Sequence, residues 1–257
     1  MAYSPVARKK MVIGNWKLNP KTKNQAIHLA LDILELKPNV NKLDICIIPP
    51  QLFISAICSE LDFEQTNISV GSQNCHYELD GAFTGEVSAA SLKDIGVKYV
   101  LCGHSERRTL FHETDQIINR KVRKIVETGM TPILCIGESL EEKKLDLVAE
   151  VCNTQLKIGL NGILDVDAEH VVIAYEPVWA IGTGKVCSAV EAEKIVKQIR
   201  QTLVTMYGDV SGQRIRIVYG GSVNENNIND LMDKKIDGVL VGGASINAET
   251  FGKILEY

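Results

Sequence analysis

Four polar side chains and two glycine pairs stand at comparable points of this 257-residue sequence, each just after a short apolar run. Asn15 and Lys17 flank Trp16 after the first such run, and Gly103-His104-Ser105-Glu106-Arg107-Arg108 follows Tyr99 to Cys102. Glu176 ends the run from Val171 to Tyr175. Gly220-Gly221-Ser222 follows Ile215 to Tyr219, and Gly242-Gly243-Ala244-Ser245 follows Gly238 to Val241. A carboxylate can take a proton from carbon, while an imidazole and an amine stabilise the charge that develops on a neighbouring oxygen. Glycine turns bring backbone N–H groups close to a ligand and suit a phosphate. Each group alone has a plainer reading: Lys17 as a solvated loop lysine, His104 as a satisfied buried histidine, the glycines as simple turns. Their shared position after apolar runs is what a chemical site would explain.

Glu176 carries the most informative context. Pro177 follows it, lacks an N–H and argues against further strand pairing. Val178, Trp179, Ala180, Ile181, Gly182, Thr183, Gly184 and Lys185 then combine apolar body with two glycines near the far end. A general base beneath a lid would look like this. On that reading Trp179 and Ile181 bury only when the lid closes.

The elements that position these groups alternate along the whole chain. Strands are predicted at 11–16, 43–48, 68–72, 99–102, 131–136, 171–175, 215–219 and 238–241. Helices are predicted at 22–36, 52–61, 89–95, 114–128, 145–158, 189–206, 226–232 and 248–256. Ile118, Val122 and Ile125 form one stripe, and Ala192, Ile195, Ile199, Leu203 and Met206 another, at helical spacing. Apolar strands alternating with amphipathic helices imply a parallel sheet. Eight units in about 250 residues match a closed (β/α)8 barrel, with eight parallel strands inside outer helices, as one domain over 1–257. A doubly wound open sheet would usually carry a glycine fingerprint after the first strand, and Gly14-Asn15-Trp16-Lys17 is not one. In a barrel the C-terminal strand ends, where the polar groups fall, form one face.

Composition narrows the function classes. Apolar residues make up 45% and charged residues 23%, with a net charge of −4, so neither nucleic acid nor an anionic membrane is an expected partner. No apolar run approaches the roughly 20 residues that span a bilayer. The start of the chain lacks the apolar core of a signal peptide, so a cytoplasmic location is expected. Seven cysteines without a Cys-x-x-Cys pair point to buried thiols in a reducing compartment, not to disulfides or zinc. No metal or cofactor is expected.

Asn15-Trp16-Lys17, Gly81 to Glu86, Gly103 to Arg108, Ala174 to Lys185, Tyr219 to Ser222 and Gly238 to Ser245 together resemble triosephosphate isomerases, in the order that family shows them. The resemblance covers essentially the whole chain. It implies a homodimeric barrel that interconverts dihydroxyacetone phosphate and D-glyceraldehyde 3-phosphate without a cofactor, in glycolysis and gluconeogenesis. By resemblance Glu176 is the base, His104 a neutral electrophile, and Lys17 a substrate-holding cation beside Asn15. Glu106 would partner Lys17. Gly182, Ser222, Gly242 and Gly243 would face the phosphate, with Pro177 to Lys185 as the lid. The long connection Gln73 to Glu86 carries Tyr77, Leu79, Ala82 and Phe83, and the resemblance docks its tip near Thr84 into a second subunit. Departures are few: a longer N-terminal segment, Val186-Cys187-Ser188-Ala189-Val190 after the lid, and Leu18 at an interface position. Cys187 bears on lid kinetics and thiol sensitivity. Two alternatives use the same barrel, a Schiff-base aldolase with a desolvated lysine and a catalytically silent phosphate-binding scaffold.

Overall fold

The alternation of apolar runs and amphipathic stretches closes on itself in a computed structural model that describes residues 8–183, 185 and 187–257. Strands β1 (Lys10–Asn15), β2 (Leu43–Ile48), β3 (Ser69–Ser72), β4 (Tyr99–Cys102), β5 (Thr131–Ile136), β6 (Val172–Tyr175), β7 (Arg216–Tyr219) and β8 (Gly238–Val241) pair in parallel, in sequence order. β8 returns to β1, with Met11 opposite Gly238 and Gly14 opposite Val241, which closes the barrel. Gly238 makes that seam possible, because a Cβ there would stand 1.9 Å from the Met11 carbonyl oxygen.

Alternate residues face opposite ways, so each strand serves two cores. Met11, Ile13, Cys46, Ile48, Ile133, Val172 and Val218 fill the barrel interior. Val12, Ile45, Ile47, Leu134, Ile173 and Ile217 point outward into the layer packed by the helices. Cys46 and Cys135 lie inside the barrel and Cys102 outside it, and all seven cysteines are free and buried. Burial pushes the Cys75 and Cys187 thiols up to about 12.

The helices form where stripe and cap coincide. Thr114 caps Asp115–Glu127 by accepting from the Ile117 N–H at 3.3 Å, with Asp115 in the positive first turn. Several stretches depart from the expectations. The helix predicted at 145–158 runs from Val148 to Gly159, and an unexpected short helix, Leu140–Lys144, precedes it. Ser139 and Glu142 form a capping box that starts this added helix, and Asp146 takes a left-handed conformation (φ 59°) just past its end. The helix expected to stop near 206 reaches Arg214, bent at Gly208 (φ 73°). Two other short helices were not expected, Ser105–Leu110 and Asp165–Ala168. No helix among the described residues is long and apolar enough to cross a membrane.

Candidate active site

Every strand that ends in one of the singled-out groups delivers it to the same rim. Asn15, Lys17, His104, Glu176, Gly182, Ser222, Gly242 and Gly243 line one pocket of about 350 Å³ at the C-terminal ends of the strands.

Glu176 forms its floor. It is 1% exposed, and its Oε2 accepts from the Ser105 N–H at 2.9 Å. Its Oε1 lies 3.4 Å from His104 Nε2 and has no hydrogen-bond partner among the described residues. Space for the carboxylate comes from Gly220, where a Cβ would stand 2.9 Å from Glu176 Cγ. Burial pushes the neighbouring Cys135 thiol well above its ordinary range, and the Glu176 charge adds to that.

His104 caps the helix Ser105–Leu110, and its Nδ1 accepts from the Glu106 N–H at 3.2 Å. A ring nitrogen that accepts cannot carry the proton, so the imidazole is the neutral tautomer with hydrogen on Nε2, the atom facing the pocket. Arg108 holds this turn down, donating to the Gly103 carbonyl at 2.8 Å and the Cys135 carbonyl at 3.0 Å and pairing with Asp115.

Lys17 takes a left-handed backbone conformation (φ 53°) that two hydrogen bonds keep in place. Asn15 Oδ1 accepts from the Lys17 N–H at 3.0 Å, and Gln73 Nε2 donates to the Lys17 carbonyl at 2.6 Å. Its ammonium meets Glu106 Oε1 at 2.5 Å, beside the pocket mouth. This ammonium is ion-paired and its side chain is 32% exposed, the reverse of the desolvated amine a Schiff-base aldolase requires. The β8 glycine turn lies beside Lys17, where a Cβ at Gly242 would stand 3.5 Å from Lys17 Cε; Gly243–Ile246 is a 3-10 turn, and Ser245 Oγ donates to the Gly242 carbonyl at 2.7 Å.

The segment after Glu176 begins as a 3-10 turn, Val178–Ala180, then carries Ile181 and Gly182 to the pocket edge. Gly182 and Thr183 are exposed and Ile181 is half-buried. One expectation fails here. Trp179 is already buried, at 8% exposure, because its Nε1 donates to Glu138 Oε1 at 2.6 Å. It anchors the segment instead of burying only on closure. Glu138 also accepts from the Tyr175 hydroxyl, and burial raises its carboxyl above the usual range. Gly184 and Val186 lie outside the described residues. Thr84, at the other end of the molecule's long third connection, is exposed and takes no part in the pocket.

The order and spacing of these groups match a known sequence pattern: the model of the triosephosphate isomerase family matches residues 10–257. The chain belongs to the triosephosphate isomerase family. The triosephosphate isomerase of Clostridium novyi (strain NT) is 44% identical over 251 residues, covering 97% of this chain and 99% of that one. That of Syntrophotalea carbinolica is 45% identical, covering 97% and 98%. That of Finegoldia magna is 46% identical over 254 residues, covering 97% and 99%.

Four participants in this triosephosphate isomerase site were not singled out from sequence. Ser105 acts through its backbone N–H, Gln73 through a contact with Lys17, and Asn224 as part of the pocket wall. Glu138 had a signal that could have been used. Gly137-Glu138-Ser139 follows β5 as the other polar groups follow their strands.

Proposed function

We propose that this pocket interconverts dihydroxyacetone phosphate and D-glyceraldehyde 3-phosphate by moving one proton between neighbouring carbons. The observation that carries the reading is the pair formed by Glu176 and His104, a carboxylate and a neutral Nε2–H 3.4 Å apart. A carbon acid beside a carbonyl is weak, so base and electrophile must act on it together. Glu176 takes the proton from C1 of dihydroxyacetone phosphate, and the electron pair moves onto the C2 oxygen. That enediolate oxygen accepts from His104 Nε2–H and from the Lys17 ammonium. A proton passes from the C1 hydroxyl to the C2 oxygen through the imidazole, and protonated Glu176 returns its proton to C2. These are the roles established for base and electrophile in this family, assigned here to the residues at matching positions. Glu106 keeps Lys17 at the mouth, and Asn15 fixes its backbone.

The phosphate is held by N–H groups of Gly182, Ser222, Gly242 and Gly243. Pro177, Val178, Trp179, Ala180, Ile181, Gly182, Thr183, Gly184 and Lys185 act as a lid. An enediolate phosphate open to water would lose its phosphate, so the lid protects the intermediate. The working unit is a homodimer in the cytoplasm. In it the connection 73–86 docks Thr84 into the partner near Asn15 and Lys17. Exposed Leu18 (88%), Leu79 (37%) and Phe83 (40%) support that face as a contact surface. A coupled assay of purified protein, free of host isomerase, tests the function. Conversion of dihydroxyacetone phosphate at a rate proportional to protein is expected, and no conversion above blank would overturn it.

A further inference from the structure

Lys143 stands outside the pocket yet touches one residue before and one residue beyond the tip at its edge. It belongs to the helix Leu140–Lys144, in the connection after β5 and not in the lid. Its ammonium sits 3.4 Å from the centroid of the Trp179 ring and 2.7 Å from Glu191 Oε1. Trp179 lies on the approach to the lid tip. Glu191 is in the first turn of the helix Ala189–Arg214, beyond the tip. The indole is also pinned at its edge by Glu138. The tip is coupled to it, because Thr183 Oγ1 donates to the Trp179 carbonyl at 2.7 Å. A movement of Ile181 and Gly182 over the pocket that keeps this bond carries Trp179 with it. Gly182 is exposed and Ile181 half-buried, the exposure that a raised tip would have.

We propose that Lys143 is a positioning residue that latches the lid in its raised position, and so sets how tightly a phosphate-bearing ligand is held. The inference rests on the reading of Pro177 to Lys185 as a lid. The attraction of a cation for an indole depends on its seat over the ring face, so tilting Trp179 on closure weakens it. A contact equal in both lid positions would shift nothing; one confined to the raised position opposes closure. Without it the closed population rises, and a ligand that binds the closed form gains apparent affinity in proportion.

The test uses the full-length chain and sn-glycerol 3-phosphate, which has a three-carbon phosphate ester but no carbonyl to react. Binding is measured by calorimetry and by tryptophan emission in wild type, Lys143→Met, Lys143→Arg and Glu191→Gln. Lys143→Met should bind about threefold to tenfold more tightly. Its KM should fall by a similar factor with no rise in kcat, a split that a merely structural defect would not produce. Lys143→Arg keeps a cation over the ring and should behave as wild type. Glu191→Gln removes only the charge that steadies Lys143 and should tighten binding by about twofold. It carries the same test should Lys143→Met fail to fold. Unchanged or weaker binding in both Lys143→Met and Glu191→Gln, with wild-type emission responding to the ligand, would overturn the latch alone. Wild-type binding without any change in emission would overturn the lid reading, and the latch with it.

Discussion

A lysine that holds an anionic substrate contributes before and during the reaction, and the proposed role gives Lys17 both tasks. Its backbone is fixed by Asn15 and Gln73 and its ammonium is steadied by Glu106. Lys17→Ala should therefore raise KM and lower kcat together in steady-state kinetics; an unchanged KM would mean that the glycine turns alone hold the phosphate. The meeting of Asn15, Lys17, His104 and Glu176 was legible in the sequence because all four follow apolar strands, a shared position that the plainer reading of each alone does not explain. Ser105 and Glu138 were not singled out, for different reasons. Ser105 serves through an N–H that every residue but proline carries. Glu138 follows β5 as the other polar groups follow their strands, but what it holds shows only when the fold brings Tyr175 and Trp179 against it. That contact is also why Trp179 is buried in the structure, against the expectation from its apolar surroundings.

Between strands, the segments that frame the pocket are tied by buried charge. Glu113, 8% exposed, accepts from Arg107 Nε and Lys121 Nζ, each at 2.5 Å, and Lys121 also donates to Asn74 Oδ1 at 2.7 Å. The His104 turn, the helix Asp115–Glu127 and the connection after β3 thus share one network. Burial alone would raise the Glu113 carboxyl. The hydrogen bonds and charges of Lys121 and Arg107 outweigh it and hold the carboxyl below its ordinary 4.5. The unfolded chain then binds more protons than the folded one just below pH 4.5, so this contribution is present above that pH and lost as pH falls through the folded value. Glu113→Gln should cost about 3–5 kcal/mol at pH 7, since it leaves Lys121 buried without its anion. The gap to wild type in denaturant melts should narrow below pH 4.5; a gap that widens there would contradict the assignment. The proposed lid makes a kinetic prediction at the same scale. Deleting Ile181 to Thr183 should leave the melting curve nearly intact and release inorganic phosphate from triose phosphate. A lowered melting temperature without phosphate release would make the segment structural. Strand positions were legible from apolar runs nearly to the residue. The added helix Leu140–Lys144 and the continuation past Gly208 to Arg214 were not, because a local capping box and one left-handed glycine decide them, not apolar periodicity.

At the scale of the molecule, the closed barrel was legible because eight alternations in one chain leave few other ways to bury both strand faces. How barrels associate was not written as plainly. Leu79 and Phe83 on the long third connection, and Leu18 beside Lys17, stay exposed on the single chain. Gln73 from the same connection already touches the Lys17 carbonyl. A partner that buries this face would steady the lysine, so activity should depend on association. Replacing Tyr77 to Phe83 with a short polar turn should yield monomers of unchanged far-UV signal and at least about tenfold lower turnover. Sedimentation and kinetics at one protein concentration check this, and a fully active monomer would refute it.

If Glu176 shuttles a proton between adjacent carbons, isomerisation of dihydroxyacetone phosphate in deuterated water records the transfer. Wild type should place solvent deuterium on C2 of the product, because the proton held by a carboxylate exchanges before it is returned. Glu176→Gln should bind sn-glycerol 3-phosphate within a few-fold of wild type and lose at least about 10²-fold in turnover. Product free of deuterium throughout, or a Glu176→Gln enzyme within about threefold of wild-type turnover, would contradict the account.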